Sequence, residues 1–168
     1  ASDQPADAPA DASDQPADAP ADASLEPNAT VERVVDGDTI IVDIGGQRER
    51  VRLIGIDTPE SVDENRPVQC YGHEASAFVT DLLPPGTPVT LILDAETRDQ
   101  YGRLLAYVVR SSDQLFVNLT LLELGYADTL TIEPNDHYAR RFESAAAEAR
   151  AEGRGLWGVC GGPDVPLG

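Results

Sequence analysis

With 168 residues, 41% of them hydrophobic, the chain has material for one domain of ordinary size with a real core, and not for two. Its 30 acidic residues face 12 basic ones, all arginine, for a formal net charge of −18. No apolar run approaches the roughly 20 residues needed to cross a bilayer and no Lys/Arg cluster suits anionic lipid, so membrane insertion is excluded.

Residues 1–22 are the unit ASDQPADAPAD written twice, with no large apolar side chain, recurrent Pro and six Asp. Such a stretch cannot bury enough to fold, and its like charges repel, so 1–27 reads as a disordered acidic spacer ahead of a domain spanning 28–160 and a flexible tail over 161–168. Seven of the 30 acidic residues lie in 1–27 and none of the arginines does, so the domain is acidic too. In the domain, TVERVV, TIIVDI and RERVRLIGI read as three strands. The last two are joined at Gly45-Gly46, a hairpin signal. HEASAFVTDLL then sets Ala75, Phe78, Val79 and Leu82 on one helical face. Strands are expected over 88–93 and 103–109, with DQYG between them as a turn. FVNLTLLELG reads as a second helix closing on Gly125, and the stretch from His137 as a third stopping at Gly153 or Gly155. Strands arriving mostly before and between three helices predict an α+β domain, a small curled sheet with helices packed on it.

The absence of Met, in a chain opening on small and acidic residues, leads us to expect that an upstream segment has been removed, most simply a secretory signal. The expected location is secreted or extracellular. Two cysteines, Cys70 and Cys160, fit one bridge in an oxidising compartment.

Two acidic clusters carry the candidate chemistry. Asp36-Gly37-Asp38-Thr39 lies at the turn between the first two strands, and Asp57-Thr58-Pro59-Glu60 leaves the third. Asp and Gly make turns for structural reasons alone, so either cluster by itself says little. In a meander, however, the start of the second strand and the end of the third share one edge, which brings Asp38 and Asp57 together. Two carboxylates that close repel unless a cation sits between them, and hard oxygen ligands suit Ca²⁺ or Mg²⁺. Arg48, Arg50 and Arg52 share one strand face. The first two read as solvated surface; Arg52 lies nearest the second acidic cluster, and Arg103 follows the DQYG turn. A cation, a spare carboxylate and two guanidinium groups describe a site for a phosphoester, whose transition state gathers negative charge. His73 and His137 each open a helix and do not make a zinc site.

Taken in order, VVDGDTI, VRLIGIDTPE, YGHEASAF, DQYGRLLAYV, VNLTLLELGYA and GLWG resemble the staphylococcal nuclease (thermonuclease) family over about residues 30–158. The resemblance implies a five-stranded OB-type barrel with three helices, and Ca²⁺-dependent hydrolysis of DNA and RNA to products ending in 3′-phosphates. On it, Asp38, Asp57 and the Thr58 carbonyl match the calcium ligands, and Asp36 a nearby acid supporting them. Glu60 falls on the position of the general base, Arg52 and Arg103 on the two arginines that grip phosphate, and Tyr101 on a tyrosine that hydrogen-bonds it. Departures are Gln100 where the family usually has Lys, and Thr131 and Glu133 where an aromatic pair often flanks the base pocket, which weakens base stacking. Monomer is the default, as no heptad seam is visible.

A net charge of −18 opposes a polyanionic substrate. At an ionic strength of about 1 M the Debye length is only about 3 Å, so remote carboxylates cease to matter while contacts at a bound cation and Arg persist. Adaptation to high salt and a coding bias of Arg over Lys account for the composition equally well. The rival readings are a catalytically inactive nuclease-like binding module and an acidic calcium-binding surface protein.

Overall fold

The computed structural model describes residues 25–61 and 67–167, so nearly all of the expected spacer lies outside the described residues. Strand β1 (Ala29–Asp36) pairs antiparallel with β2 (Thr39–Ile44), and β2 with β3 (Gln47–Leu53) across Gly45 and Gly46, both at positive φ as a tight hairpin requires. Alternation sends Ile40, Val42, Val51 and Leu53 inward. The run expected as one strand over 48–56 then breaks. Gly55 has φ 83°, and β4 (Gly55–Asp57) turns off into a separate sheet. Only glycine fits at this bend, because a Cβ there would stand 2.6 Å from the Phe142 ring.

Helix α1 (Gly72–Leu82) buries Ala75 and Val79, with Phe78 and Leu82 packed beside them on the core. Strands β5 (Pro88–Ile92) and β6 (Leu104–Arg110) follow, then a two-residue strand β7 (Leu115–Phe116) that leads directly into α2 (Val117–Glu123). Strand β8 (Asp128–Leu130) pairs antiparallel with β4, and α3 (Ala139–Glu152) ends on Gly153 in the left-handed conformation. A short α4 (Leu156–Val159) completes the order. The third expected helix stops at Gly153 as expected, α4 is an additional short helix beyond it, and β4, β7 and β8 add to the expected strands.

The main sheet runs β3-β2-β1-β5-β6-β7, and a parallel pairing of β3 with β6 joins its ends into a closed five-stranded barrel with β7 as a short extension. Its interior is filled by Val31, Val89, Leu91, Ala106 and Val108 with the β2 and β3 side chains already named. Strand β6 is buried on both faces because helices cover its outside. There Tyr107 meets Phe116, Tyr138 and Phe142 edge-on at ring distances of 6.2, 4.7 and 6.0 Å.

Asn118, fully buried on α2, ties this second layer to the barrel. Its Oδ1 accepts from the Val108 N–H at 2.9 Å, and its Nδ2 donates to the Ile54 carbonyl at 2.8 Å. Asn118→Ala orphans both backbone groups and is expected to destabilise the protein by roughly 3 kcal/mol, read from urea denaturation midpoints. The same burial withdraws the Asn118-Leu119-Thr120 sequon from any glycan in the folded chain.

Leu25 packs against the core, its N–H donates to the Gln114 side chain, and the Glu26 carbonyl accepts from Thr90. Within the expected tail, Val165, Pro166 and Leu167 pair with residues 68–70. Cys70 and Cys160 form a disulfide.

Candidate active site

The two acidic clusters interlock. Asp36 at the end of β1 pairs with Thr39 at the start of β2, which leaves Gly37-Asp38 as the turn, and Asp36 Oδ1 accepts the Gly37 N–H at 2.8 Å. A Cβ on Gly37 would lie 2.7 Å from Thr58 Oγ1, so the second cluster presses directly on the first. Asp38 accepts from Thr39 Oγ1 at 3.0 Å and from the Thr58 N–H at 3.2 Å. The pairing of Thr39 with Arg52 sets the end of β3 beside the start of β2. In consequence Arg52 Nη2 lies 3.4 Å from Asp38 Oδ2 and 3.6 Å from Asp57 Oδ1, while Nη1 donates to the Leu53 and Ile56 carbonyls at 2.8 and 2.9 Å. Asp38 and Asp57 therefore converge on one nitrogen, as the meander requires.

The donor set fits a hard cation. Two carboxylates face one point of positive charge, the main chain at Thr58 lies against one of them, and the buried Thr58 Oγ1 has no hydrogen-bond partner. Among the described residues no group of three or more His, Cys, Asp or Glu side chains is gathered to hold a metal.

Behind this pair, Asp36 is buried and accepts from Ser61 Oγ at 2.5 Å. The Glu60 side chain is a further hydrogen-bond partner of this carboxyl. Burial pushes the Asp36 carboxyl above its ordinary range; the Ser61 and Gly37 hydrogen bonds oppose this, and the Asp38 charge adds to it.

A cleft of about 440 Å³ opens on the other side of Arg52, lined by Arg52, Gln100, Tyr101, Arg103, Leu130 and Ile132 among others. Arg52 stands abreast of Leu105 in the parallel β3–β6 pairing, and Arg103 lies two residues before Leu105, so both guanidinium groups serve one outer face of the barrel. Asp99 builds the turn that aims Arg103. Its Oδ1 accepts the Tyr101 and Arg103 N–H groups, each at 2.9 Å, and its Oδ2 accepts Arg103 Nε at 2.7 Å. Burial raises the Asp99 pKa, but these hydrogen bonds and the Arg103 charge outweigh it and hold the carboxyl below its ordinary range. The Arg103 guanidinium sits 5.4 Å from the centre of the exposed Tyr101 ring.

The structure thus joins Asp38, Asp57 and Arg52 in one contact group and Asp36, Glu60 and Ser61 in another, and sets Arg52, Tyr101 and Arg103 around one cleft. Leu130 and Ile132, on either side of Thr131, line the cleft. Sequence reading missed Asp99 and Ser61. Asp99 counted only as a turn residue, and the fourfold spacing from Asp99 to Arg103 was its one available signal; Ser61 had none beyond adjacency to Glu60.

A family model described as staphylococcal nuclease homologue matches residues 50–159. The thermonuclease of Staphylococcus intermedius is 48% identical over 127 residues, covering 76% of this chain and 74% of its own. That of Staphylococcus hyicus is 42% identical, covering 79% and 76%. The endonuclease YncB of Bacillus subtilis strain 168 is 38% identical, covering 80% of this chain and 63% of the relative.

Proposed function

The chain belongs to the staphylococcal nuclease family, and on that premise we propose that it is a secreted, calcium-dependent nuclease cutting DNA and RNA to 3′-phosphate products. The observation that carries this reading is the convergence of Asp38 and Asp57 on Arg52 at the rim of a cleft that also holds Arg103 and Tyr101. Secretion is supported by the Cys70–Cys160 disulfide, which suits an oxidising compartment.

Asp38, Asp57 and the Thr58 carbonyl would hold the calcium, supported by Asp36, and the ion would supply positive charge against the phosphate. The protein groups act around it. The phosphate lies between Arg52 and Arg103, with Tyr101 donating a hydrogen bond to it, and the two guanidiniums match the growing charge on its oxygens more strongly in the transition state than in the ground state. Glu60 takes a proton from the attacking water. A P–O bond to water forms and the bond to the 5′ oxygen breaks, so that OH ends on phosphorus and H on the departing oxygen.

Incubation of the protein with plasmid DNA or with RNA, in calcium or in chelator, tests the reading. The expected result is cleavage in calcium and a loss of at least about 10²-fold in chelator. Calcium binding without cleavage points instead to an acidic calcium-binding protein, and neither binding nor cleavage to a nuclease-like binding module.

A further inference from the structure

The residue that fixes where Glu60 sits is not in either acidic cluster. Glu60 and Gln69, nine residues apart in sequence, are bonded backbone and side chain alike. The Glu60 N–H donates to Gln69 Oε1 at 2.7 Å, and the Gln69 N–H donates to the Glu60 carbonyl at 2.9 Å. The chain continuing from Gln69 leaves no slack on that carbonyl, since a Cβ at Gly72 would lie 2.2 Å from it. Both main-chain polar groups of Glu60 are thereby committed to one partner residue.

Gln69 is in turn held from the far end of the chain. Its Nε2 donates to Asp164 Oδ1 at 3.3 Å, its backbone bridges Pro166, and on either side Cys70 N–H donates to the Val165 carbonyl at 2.7 Å and Leu167 N–H to the Val68 carbonyl at 3.1 Å. The disulfide to Cys160 fastens the residue next to Gln69 to the segment that supplies these partners. A glutamine side chain has one acceptor and one donor end, and here each end is used: the oxygen on Glu60, the amide nitrogen on Asp164.

We propose that Gln69 is a positioning residue for Glu60, braced by residues 164–167 and the Cys70–Cys160 bridge. The inference rests on the nuclease reading in which Glu60 accepts the proton of water. A proton acceptor displaced by about 1 Å loses rate steeply, while substrate is still gripped by Arg52, Arg103 and Tyr101, which Gln69 does not touch.

The test is a double-mutant cycle on the full-length, oxidised protein, with kcat and KM measured in calcium on a chromogenic phosphodiester. Gln69→Leu, which keeps the size and removes both polar ends, is expected to lower kcat on the order of ten-fold with KM within about two-fold. Gln69→Glu combined with Asp164→Asn keeps an oxygen for the Glu60 N–H and a donor–acceptor pair between positions 69 and 164, and is expected to recover most of that loss, which a general loss of packing would not allow. In a Glu60→Gln background, Gln69→Leu is expected to add nothing further, because its effect passes through Glu60. Thermal melts of each variant confirm that the comparison is made on folded protein. The proposal is overturned if Gln69→Leu leaves kcat unchanged, raises KM instead, or adds its full loss on top of Glu60→Gln. Near-native turnover in Glu60→Gln alone overturns the role of Glu60 itself, a separate failure.

Discussion

Arg103→Ala is expected to lower kcat by about 10²-fold or more while leaving the melting temperature nearly unchanged. Arg103 lines the cleft from the end of a surface turn, and its recorded ion pair is with Asp99, whose carboxylate keeps its bonds to the Tyr101 and Arg103 N–H groups after the side chain is removed. The folded state therefore gives up only a partly exposed ion pair, which is worth little. The transition state gives up a charged fork at a phosphate. Arg103→Lys is expected to recover part of the loss at best, since an ammonium offers neither the planar pair of donors nor the same Nε contact to Asp99. Steady-state kinetics beside calorimetry check this, and near-native turnover in Arg103→Ala removes the residue from the mechanism. Arg52 contrasts with it. Its side chain is 16% exposed and bonded to two carbonyls and two carboxylates, so Arg52→Ala is expected to cost stability as well as rate.

The largest effect on stability is expected from the disulfide. Cys70 and Cys160 are 90 residues apart in sequence, and cross-linking a loop of that length removes enough freedom from the unfolded chain to contribute about 4 kcal/mol in the chain-entropy account. For a domain of this size the loss corresponds to a melting temperature lower by roughly 10 to 15 °C. Melts of the oxidised protein, the reduced protein and a Cys70→Ser/Cys160→Ser variant measure it. Agreement between the last two assigns the shift to the bond itself rather than to the chemistry of free thiols.

The barrel strands were legible because alternation fixes which face of each strand is inward, and Gly45-Gly46 fixes the hairpin register that sets Thr39 opposite Arg52. From that register the meeting of Asp38 and Asp57 followed. What was not legible depends on approach in space rather than on pattern. The break at Gly55 exists because Phe142, far along the chain, fills the space a side chain would need. The small β4–β8 sheet pairs three residues with three, too few for alternation to register. Gln69 gave no sign of any role, since its partners are the main chain of Glu60 and a C-terminal segment that composition marked as loose. The resemblance to a nuclease family supplied residue roles that spacing alone does not assign.

The position of Arg52 between Asp38 and Asp57 has a bearing on how the protein matures. A permanent guanidinium already offsets half the charge of the two aspartates, so the protein is expected to reach its native shape without a divalent ion as scaffold. Chelator-stripped protein should accordingly keep its melting transition while losing its activity. On the proposed calcium-dependent reading, folding and loading would be successive events, and activity would wait on the ion.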